Sequence, residues 1–464
     1  MKYKKFISSF LALICLTLLL PAQSADDIPI QVKRLGERVI VLKETFMENN
    51  VVAIASKKGL VVVDTTGLPS TAAKMRKIIE KEFDRKDFVY VINTHHHWDH
   101  SFGNQVFADA VVVGHERCLE PMRRDAGFMP RRVEGLKQNL ERQKQRLEGL
   151  TPDSEEAKST RTDIATLKRA LADYSEGFVS TPPAIIFNDR MNLNLGDMTF
   201  KLYYFGRAHS GSDILIHVPE EGLLLTGDLF LDEGWLPLFA GQPVLDIPRW
   251  IEVLKAVLDG EDEIKQVIPA HQHFWNRERL AMWRDYIVKL WNGVNAAKAE
   301  GLDFAAVQNR FPLEEKYSYL KELGHTGSEL QRFQSRNVEA FWRQLFESAA
   351  AVVEKTITES GIQAAIEKYH ELKAKQEKKY YFGENDFNAL GYRLLMNRKV
   401  KEAIEVFKLN VQAFPDSWNV YDSLGEAYLV NGDTELAVKY YKKSLELNPE
   451  NNNAKETLKR LEKK

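Results

Sequence analysis

Cysteine is nearly absent: two in 464 residues, Cys15 and Cys118, too few for a disulfide framework. Neither sign of charge is in excess, with 64 Lys plus Arg against 66 Asp plus Glu and a formal net charge of −2. That balance excludes a polyanion binder driven by bulk positive charge, and no nucleic-acid partner is expected. Long apolar runs are missing after the first 25 residues, so no stable membrane span is expected in a processed chain. What remains is 44% hydrophobic and 28% charged, a composition that leaves little room for extensive disorder. At roughly 100–200 residues per domain, the length suggests two or three domains.

The start of the chain has its own character. Lys2, Lys4 and Lys5 precede an apolar run from Phe10 to Leu20, followed by Pro21-Ala22-Gln23-Ser24-Ala25. A basic start, a short apolar stretch and small residues (Ala22 and Ser24) before a cut after Ser24 describe a secretory signal peptide over residues 1–24. The run falls short of the ~20 residues of a spanning helix, and Ile14 before Cys15 does not suit a lipoprotein signal. Cleavage would leave Cys118 alone, without an intrachain disulfide partner. The mature protein is expected to be exported to the periplasm.

Short β-branched runs at 39–42, 51–54 and 59–64 read as strands, the last ending in Asp64. Residues 70–83 read as a helix capped by Ser70 or Thr71, and 88–92 as the next strand. Strand, helix, strand implies an α/β layered domain, expected over residues 25–290. Within it, Leu136, Leu140, Leu147, Ile164, Leu167, Leu171 and Tyr174 recur at helical spacing among many charges. They predict an inserted helical hairpin over about 131–176, broken at Leu150-Thr151-Pro152-Asp153. Strands resume at 199–205, 214–218, 223–226 and 266–269, and everything after Asn276 is expected to be helical, with 291–380 a helical linker region.

Residues 385–464 hold an internal repeat. Phe387, Leu390, Gly391, Leu394, Ala403, Phe407 and Pro415 are each followed 34 residues later by Tyr421, Leu424, Gly425, Tyr428, Ala437, Tyr441 and Pro449. The period and residue types resemble the tetratricopeptide repeat, a helix pair with small residues where the helices touch. This region is expected to dock a protein partner or to self-associate.

The chemistry sits in Asn93-Thr94-His95-His96-His97-Trp98-Asp99-His100-Ser101-Phe102-Gly103-Asn104, directly after a strand. Imidazole nitrogen and carboxylate oxygen together suit zinc and similar borderline metals. Such donors converge only if the loop curls round a cation. Further donors close other predicted strands: His209, Asp228, His271 and Asp64. In α/β folds, strand ends place functional loops on one rim.

With these residues in place, positions 30–290 resemble the metallo-β-lactamase-fold superfamily, with its H-x-H-x-D-H signature as His95, His97, Asp99 and His100. The resemblance implies an αββα sandwich with an all-α C-terminal region appended. It implies one cation on His95, His97 and His209 and a second on Asp99, His100 and His271, with Asp228 bridging both. Two Zn²⁺ ions are expected, with iron or manganese also compatible with mixed N/O ligands. His96 falls out of register with the signature and reads as a supporting residue. Asp64 resembles the family's acid that orients the ligand loop. His115, His217, His273, His325 and His370 match no ligand slot, although His273 and His325 could approach a substrate.

Two divalent cations about 3.5–4 Å apart can hold a bridging water and lower its pKa toward ~7, and Asp99 can orient the resulting hydroxide. The expectation is therefore a hydrolase acting on a small molecule through an ester, thioester, lactone or amide bond, with Cys118 outside the chemistry. A lactamase class with cysteine in the second metal site is excluded, because His100 and Asp228 stand instead. Alkylsulfatases of the superfamily resemble the chain in export and in a helical C-terminus, but carry glutamates where His209 and Asp228 stand. β-Lactamase or alkylsulfatase activity on the same site remains an alternative, as does a non-catalytic metal-binding platform whose repeats bind partners. Trp98, Phe102, Phe230, Trp235, Leu236, Phe239 and Trp275 fall in loops near the donors and would serve either an apolar substrate portion or packing. Arg123, Arg124, Arg131, Arg132 and Arg207 would meet an anionic group or solvent.

Overall fold

Runs of Val and Ile build the first of two sheets. In this computed structural model, which describes residues 29–44, 48–175, 177–230, 245–311, 326–375 and 379–461, it starts as an antiparallel meander. Its strands are β1 (Ile30–Arg34), β2 (Val39–Glu44), β3 (Asn50–Ser56) and β4 (Gly59–Val63). Strands β5 (Phe88–Ile92), β6 (Val111–His115) and β7 (Ile185–Phe187) continue it in parallel from β4. The second sheet has the order β12-β11-β10-β9-β8. It comprises β8 (Arg190–Asn194), β9 (Thr199–Tyr204), β10 (Ile214–Val218), β11 (Leu223–Gly227) and β12 (Gln266–Pro269). Only its β11–β12 pair is parallel. The expected signal peptide lies outside the described residues.

Alternate residues of a strand face opposite ways, so strands buried on both sides must feed two cores. Val61 and Val63 pack with Phe200, Ile214, Ile216 and Leu225 between the sheets. Leu60 and Val62 pack instead with Ala72, Met75 and Ile79 of the helix Pro69–Phe83. On the other side, Leu215 and Leu224 join Trp250 and Leu254 of helix Ile247–Leu258 and Trp283 and Ile287 of helix Arg277–Ala299. The layers are helix, sheet, sheet, helix: the αββα sandwich.

The inserted hairpin consists of helices Leu119–Glu148 and Glu155–Ser175. Its first helix therefore starts well before residue 131. Pro130 lies inside it and Gly127 shortly before, residues that read as breakers in sequence but are carried by the flanking turns. The helix Pro69–Phe83 also begins differently from expectation. Leu68 is its N-cap and makes no side-chain cap bond. The acceptor comes from the hairpin: Asp173 Oδ2 takes bonds from Ser70 N at 3.0 Å and Ser70 Oγ at 2.8 Å.

Beyond the sandwich, helix Gly327–Arg343 sends Leu330, Phe333 and Phe341 into the same core as Trp250 and Trp283. Helix Ala349–Ala374 instead shares a core with the repeats, through Val353, Ile357, Tyr369, Phe387 and Phe407. Between them the two-residue strands Glu347–Ser348 and Tyr380–Tyr381 pair in parallel, an exception to the all-helical expectation too short to leave a pattern. The repeat helices are Glu384–Met396, Val400–Ala413, Trp418–Asn431 and Thr434–Leu447, followed by Asn452–Leu461. Gly391 lies against the Phe407 ring and Gly425 against the Tyr441 ring, the repeat-equivalent contacts 34 residues apart. No helix among the described residues is long and apolar enough to cross a membrane.

Candidate metal centre

Strands β4, β5, β11 and β12 all end on one rim, and each delivers a piece of the centre. β5 ends at Ile92 and runs straight into the histidine-rich turn. β11 ends at Gly227, whose φ of 57° and close approach to Thr94 (an added Cβ would lie 2.9 Å from the Thr94 Cβ) suit glycine alone. Asp228 is thereby set against that turn. Asn50 fixes the β12 end, its N donating to Ala270 O at 2.6 Å and its Nδ2 to Pro269 O at 2.9 Å. The same stretch holds the turn itself, because Asn49 Nδ2 donates to Asp99 O at 2.9 Å. Asp213 accepts from Ser210 N at 2.7 Å and Ser210 Oγ at 2.9 Å, closing the loop that carries His209.

Two clusters of donors result. The ligand atoms of His95, His97, His209 and Asp228 all lie within 4.8 Å of one another, as do those of Asp99, His100, Asp228 and His271. Asp228 belongs to both. Its Oδ2 stands 3.3 Å from His209 Nε2, 3.4 Å from His100 Nε2 and 3.9 Å from His95 Nε2, and its Oδ1 stands 3.4 Å from His271 Nε2. Asp99 Oδ2 is 3.2 Å from His100 Nε2 and 3.4 Å from His271 Nε2. All seven residues proposed from sequence are therefore brought together, in the two groups expected and around the shared carboxylate.

The donor set fits a divalent cation on independent grounds. His95 Nε2 and Asp228 Oδ1 are buried and have no hydrogen-bond partner among the described residues, a costly arrangement unless another group satisfies them. Asp64 accepts from Thr94 N at 2.8 Å, from Thr94 Oγ1 at 2.7 Å and from His100 Nδ1 at 3.1 Å. A carboxylate behind a ring nitrogen fixes the imidazole with its other nitrogen presented to a cation. Thr94 Oγ1 lies 3.1 Å from His95 Nδ1 and does the same for that ring.

The two clusters differ in charge. Burial, then the neighbouring imidazoles, hold His95 well below the usual histidine range. Burial and His209 bring His97 down to about 3. In the second cluster burial acts the same way on His100 and His271, but the carboxylates outweigh it: Asp228, Asp99 and Asp64 raise His100, and Asp228 with Asp99 raises His271. Burial would raise Asp99 and Asp228, yet His100 and His271 hold both carboxyls below the ordinary range. Ionised oxygens and neutral nitrogens are what a divalent cation needs, and the second cluster reaches that state by giving up protons.

Residues outside the clusters fall into place around them. His96 Nδ1 bonds Ser212 Oγ at 2.8 Å, away from both donor groups, and burial with Arg124 brings it down to about 4. His115 stacks on Tyr204 at 3.8 Å, His217 is buried in β10, and His273 and His370 are exposed. Phe230 and Trp275 belong to the helix-side core, and Trp98 and Phe102 pack with the hairpin. Their service is packing. Arg132 lies over Trp98 at 5.0 Å and Arg131 over Phe128 at 5.7 Å, while Arg124 pairs with Glu120 at 3.7 Å. Trp235, Leu236, Phe239 and His325 lie outside the described residues. Cys118 is buried, its thiol pushed up to about 12 mainly by desolvation. Asn49, Asn50, Thr94 and Asp213 are supports that sequence reasoning missed, because single polar residues in loops or at a strand end carry no periodic signal.

The family model of the metallo-beta-lactamase superfamily matches residues 45–274, and that of the tetratricopeptide repeat matches residues 423–451. The 2,4-dinitroanisole O-demethylase subunit alpha of Nocardioides sp. (strain JS1661) is 23% identical over 288 residues, 61% of this chain and 69% of that protein. Among solved structures, a metallo-beta-lactamase from Pontibacter korlensis matches with a TM-score of 0.37 at 15% identity, over 56% of this chain and 99% of its own. The stereoselective inverting sec-alkylsulfatase of Pseudomonas sp. matches with a TM-score of 0.46 at 14% identity, over 89% of this chain and 66% of its own.

Proposed function

Residues 45–274 are a metallo-β-lactamase superfamily domain and the chain is a metal-dependent hydrolase; we propose further that it is exported, holds two zinc ions and cleaves an ester, thioester, lactone or amide bond. The observation that carries this reading is the membership of Asp228 in both four-donor clusters. A closed structural zinc site uses four ligands and stops there; a second set sharing one carboxylate supports a dinuclear centre.

When bound, divalent cations supply Lewis-acid polarisation of the scissile oxygen and make water acidic enough to react near neutral pH. The chain's own groups do the rest. Asp99, held ionised by His100 and His271, is less deeply buried than His95 and His100 and is proposed to orient the attacking water besides holding a cation. His97, His209 and His271 are only partly buried. Cys118 is no competitor as nucleophile, since burial keeps its thiol protonated. Ser210 and Ser212 are engaged with Asp213 and His96.

Export to the periplasm rests on the basic and apolar start of the chain. The repeats at the C-terminus are proposed to bind a protein partner or a second copy. The Nocardioides relative is by its name one subunit of a demethylase, which supports an assembly and recommends a nitroaryl methyl ether as a test substrate.

The test is to purify the mature chain, count its metal, and assay chromogenic esters, thioesters, lactones, amides, β-lactams, alkyl sulfates and that ether with and without a chelator. Two equivalents of zinc with chelator-sensitive turnover of an acyl substrate is the expected result. Turnover confined to a sulfate, β-lactam or ether overturns the bond class. Metal without turnover anywhere on the panel favours the platform reading.

A further inference from the structure

The segment after β4 is unusual backbone. Asp64 and Thr66 both hold left-handed conformations, with φ of 58° and 61°, which non-glycine residues keep only where the surroundings enforce them. One side of this segment meets the ligand loop. Thr65 N donates to His100 O at 2.9 Å, and Gly103 N donates to Thr66 O at 3.1 Å. Gly67 leaves room for the Trp98 ring: an added Cβ would sit 2.5 Å from Trp98 Cζ3 and 3.1 Å from Asp99 Cα.

The other side meets the inserted hairpin. Tyr174 Oη donates to Gly67 O at 2.7 Å in a buried bond, and Asp173 caps the helix that follows at Ser70. Leu68 packs with Met129, Ala170 and Tyr174. Arg132 covers the exposed face of Trp98 at 5.0 Å. The hairpin thus grips the strained segment from behind while the segment supports Asp99 and His100 in front.

We propose that the inserted hairpin positions the second metal cluster: Tyr174, through Gly67 and Trp98, holds Asp99 and His100 where they meet His271 and Asp228. The inference rests on the two-cation reading above. Its consequence is unequal. His95 and His209 are held from elsewhere, by Thr94 and by the Ser210–Asp213 turn, so loss of the hairpin's grip falls on the second cation and much less on the first.

The experiment titrates zinc into the full metal-free chain against a chromophoric chelator, comparing wild type with Tyr174→Phe and Gly67→Ala. Tyr174→Phe removes one hydroxyl; Gly67→Ala displaces Trp98 from the opposite direction. The expected result is two equivalents in wild type, with the second weakened about tenfold in both variants and the first nearly unchanged, the scale on which outer supports tune metal affinity. A hairpin that only stabilises the fold would lower the unfolding temperature and leave the ratio of the two binding constants as in wild type; that result in Tyr174→Phe overturns the inference, even if Gly67→Ala fails to fold. A wild-type chain that takes up only one equivalent overturns the two-cation reading itself, which is a separate failure.

Discussion

The Asp64 carboxylate accepts a hydrogen bond from His100 Nδ1 at 3.1 Å, and that bond turns His100 Nε2 toward Asp228, 3.4 Å away. Asp64 also accepts both the backbone N–H and the hydroxyl of Thr94, so one carboxylate fixes the start and the end of the ligand turn. Asp64→Asn keeps the size but puts an amide where the ring needs an acceptor. Metal affinity of the second cluster should fall roughly 10–100-fold, read by chelator competition. Unchanged affinity would show that the ring is oriented by packing alone.

Asp228→Ala should behave differently from His97→Ala. The first removes the only donor common to both clusters, so both metal equivalents and turnover should go together. The second should cost one equivalent and lower turnover by roughly 10²–10³-fold, the scale set by losing a preorganised electrostatic group. Far-ultraviolet circular dichroism should show the C-terminal helices intact in both, because their core is separate from the sandwich. Full turnover in either variant contradicts the assignment.

Metal binding should depend on pH through the raised histidines of the second cluster and not through His95 and His97. His95 is held far below the usual range and His97 near 3, so both are neutral at pH 7; His100 and His271 are raised above 6.5. A cation entering the second cluster must displace protons, so its affinity should rise with pH until the raised values of His100 and His271 are passed. His95 and His97, already neutral, should release no protons when a cation binds beside them. In the metal-free chain the raised histidines contribute stability that is complete below about pH 6.5 and lost as pH rises through their folded values. Calorimetry in buffers of different ionisation enthalpy checks the first claim; equal proton release for both equivalents would refute it.

The site was legible because its chemistry is local or marks strand ends: His95, His97, Asp99 and His100 share one turn, and His209, Asp228 and His271 each follow a recognisable strand run. Those same runs read as an α/β layered domain, and the αββα layering came with the family resemblance. Strands β1, β6, β7 and β8 went unread; β7 has three residues, and β1 and β8 interleave polar residues with few β-branched ones. What sequence hides is support from a distance. The helix at Pro69 was expected to cap itself, and its acceptor is Asp173, about a hundred residues on. Asn49 reaches Asp99 and Asn50 reaches Pro269 across gaps of 50 and 219 residues. Such contacts are set by tertiary packing, and no local pattern encodes them.

Where the chain can be cut follows from which core each helix joins. Helix Gly327–Arg343 belongs to the sandwich and Ala349–Ala374 to the repeats. A chain ending at Phe346 should bind metal and turn over substrate as the full protein does. One ending at residue 384 should be less soluble, since Val353, Ile357 and Tyr369 lose Phe387 and Phe407 as partners. Metal content and sedimentation distinguish the two; loss of metal from the shorter chain would mean that the repeats shape the site.

The repeat glycines should not be equally tolerant. An added Cβ at Gly391 would lie 2.4 Å from the Phe407 ring, whereas at Gly425 the nearest ring atom of Tyr441 is 3.3 Å away. Gly391→Ala should destabilise the C-terminal region by about 1–3 kcal/mol through overpacking, and Gly425→Ala by clearly less. Denaturant unfolding of the two variants gives the comparison.

Anomalous diffraction from crystals of the zinc-loaded chain addresses the shared carboxylate directly. The expected map has two peaks about 3.5–4 Å apart, one among His95, His97 and His209, the other among Asp99, His100 and His271, with Asp228 in contact with both. A single peak, or two that leave Asp228 touching only one, would contradict it.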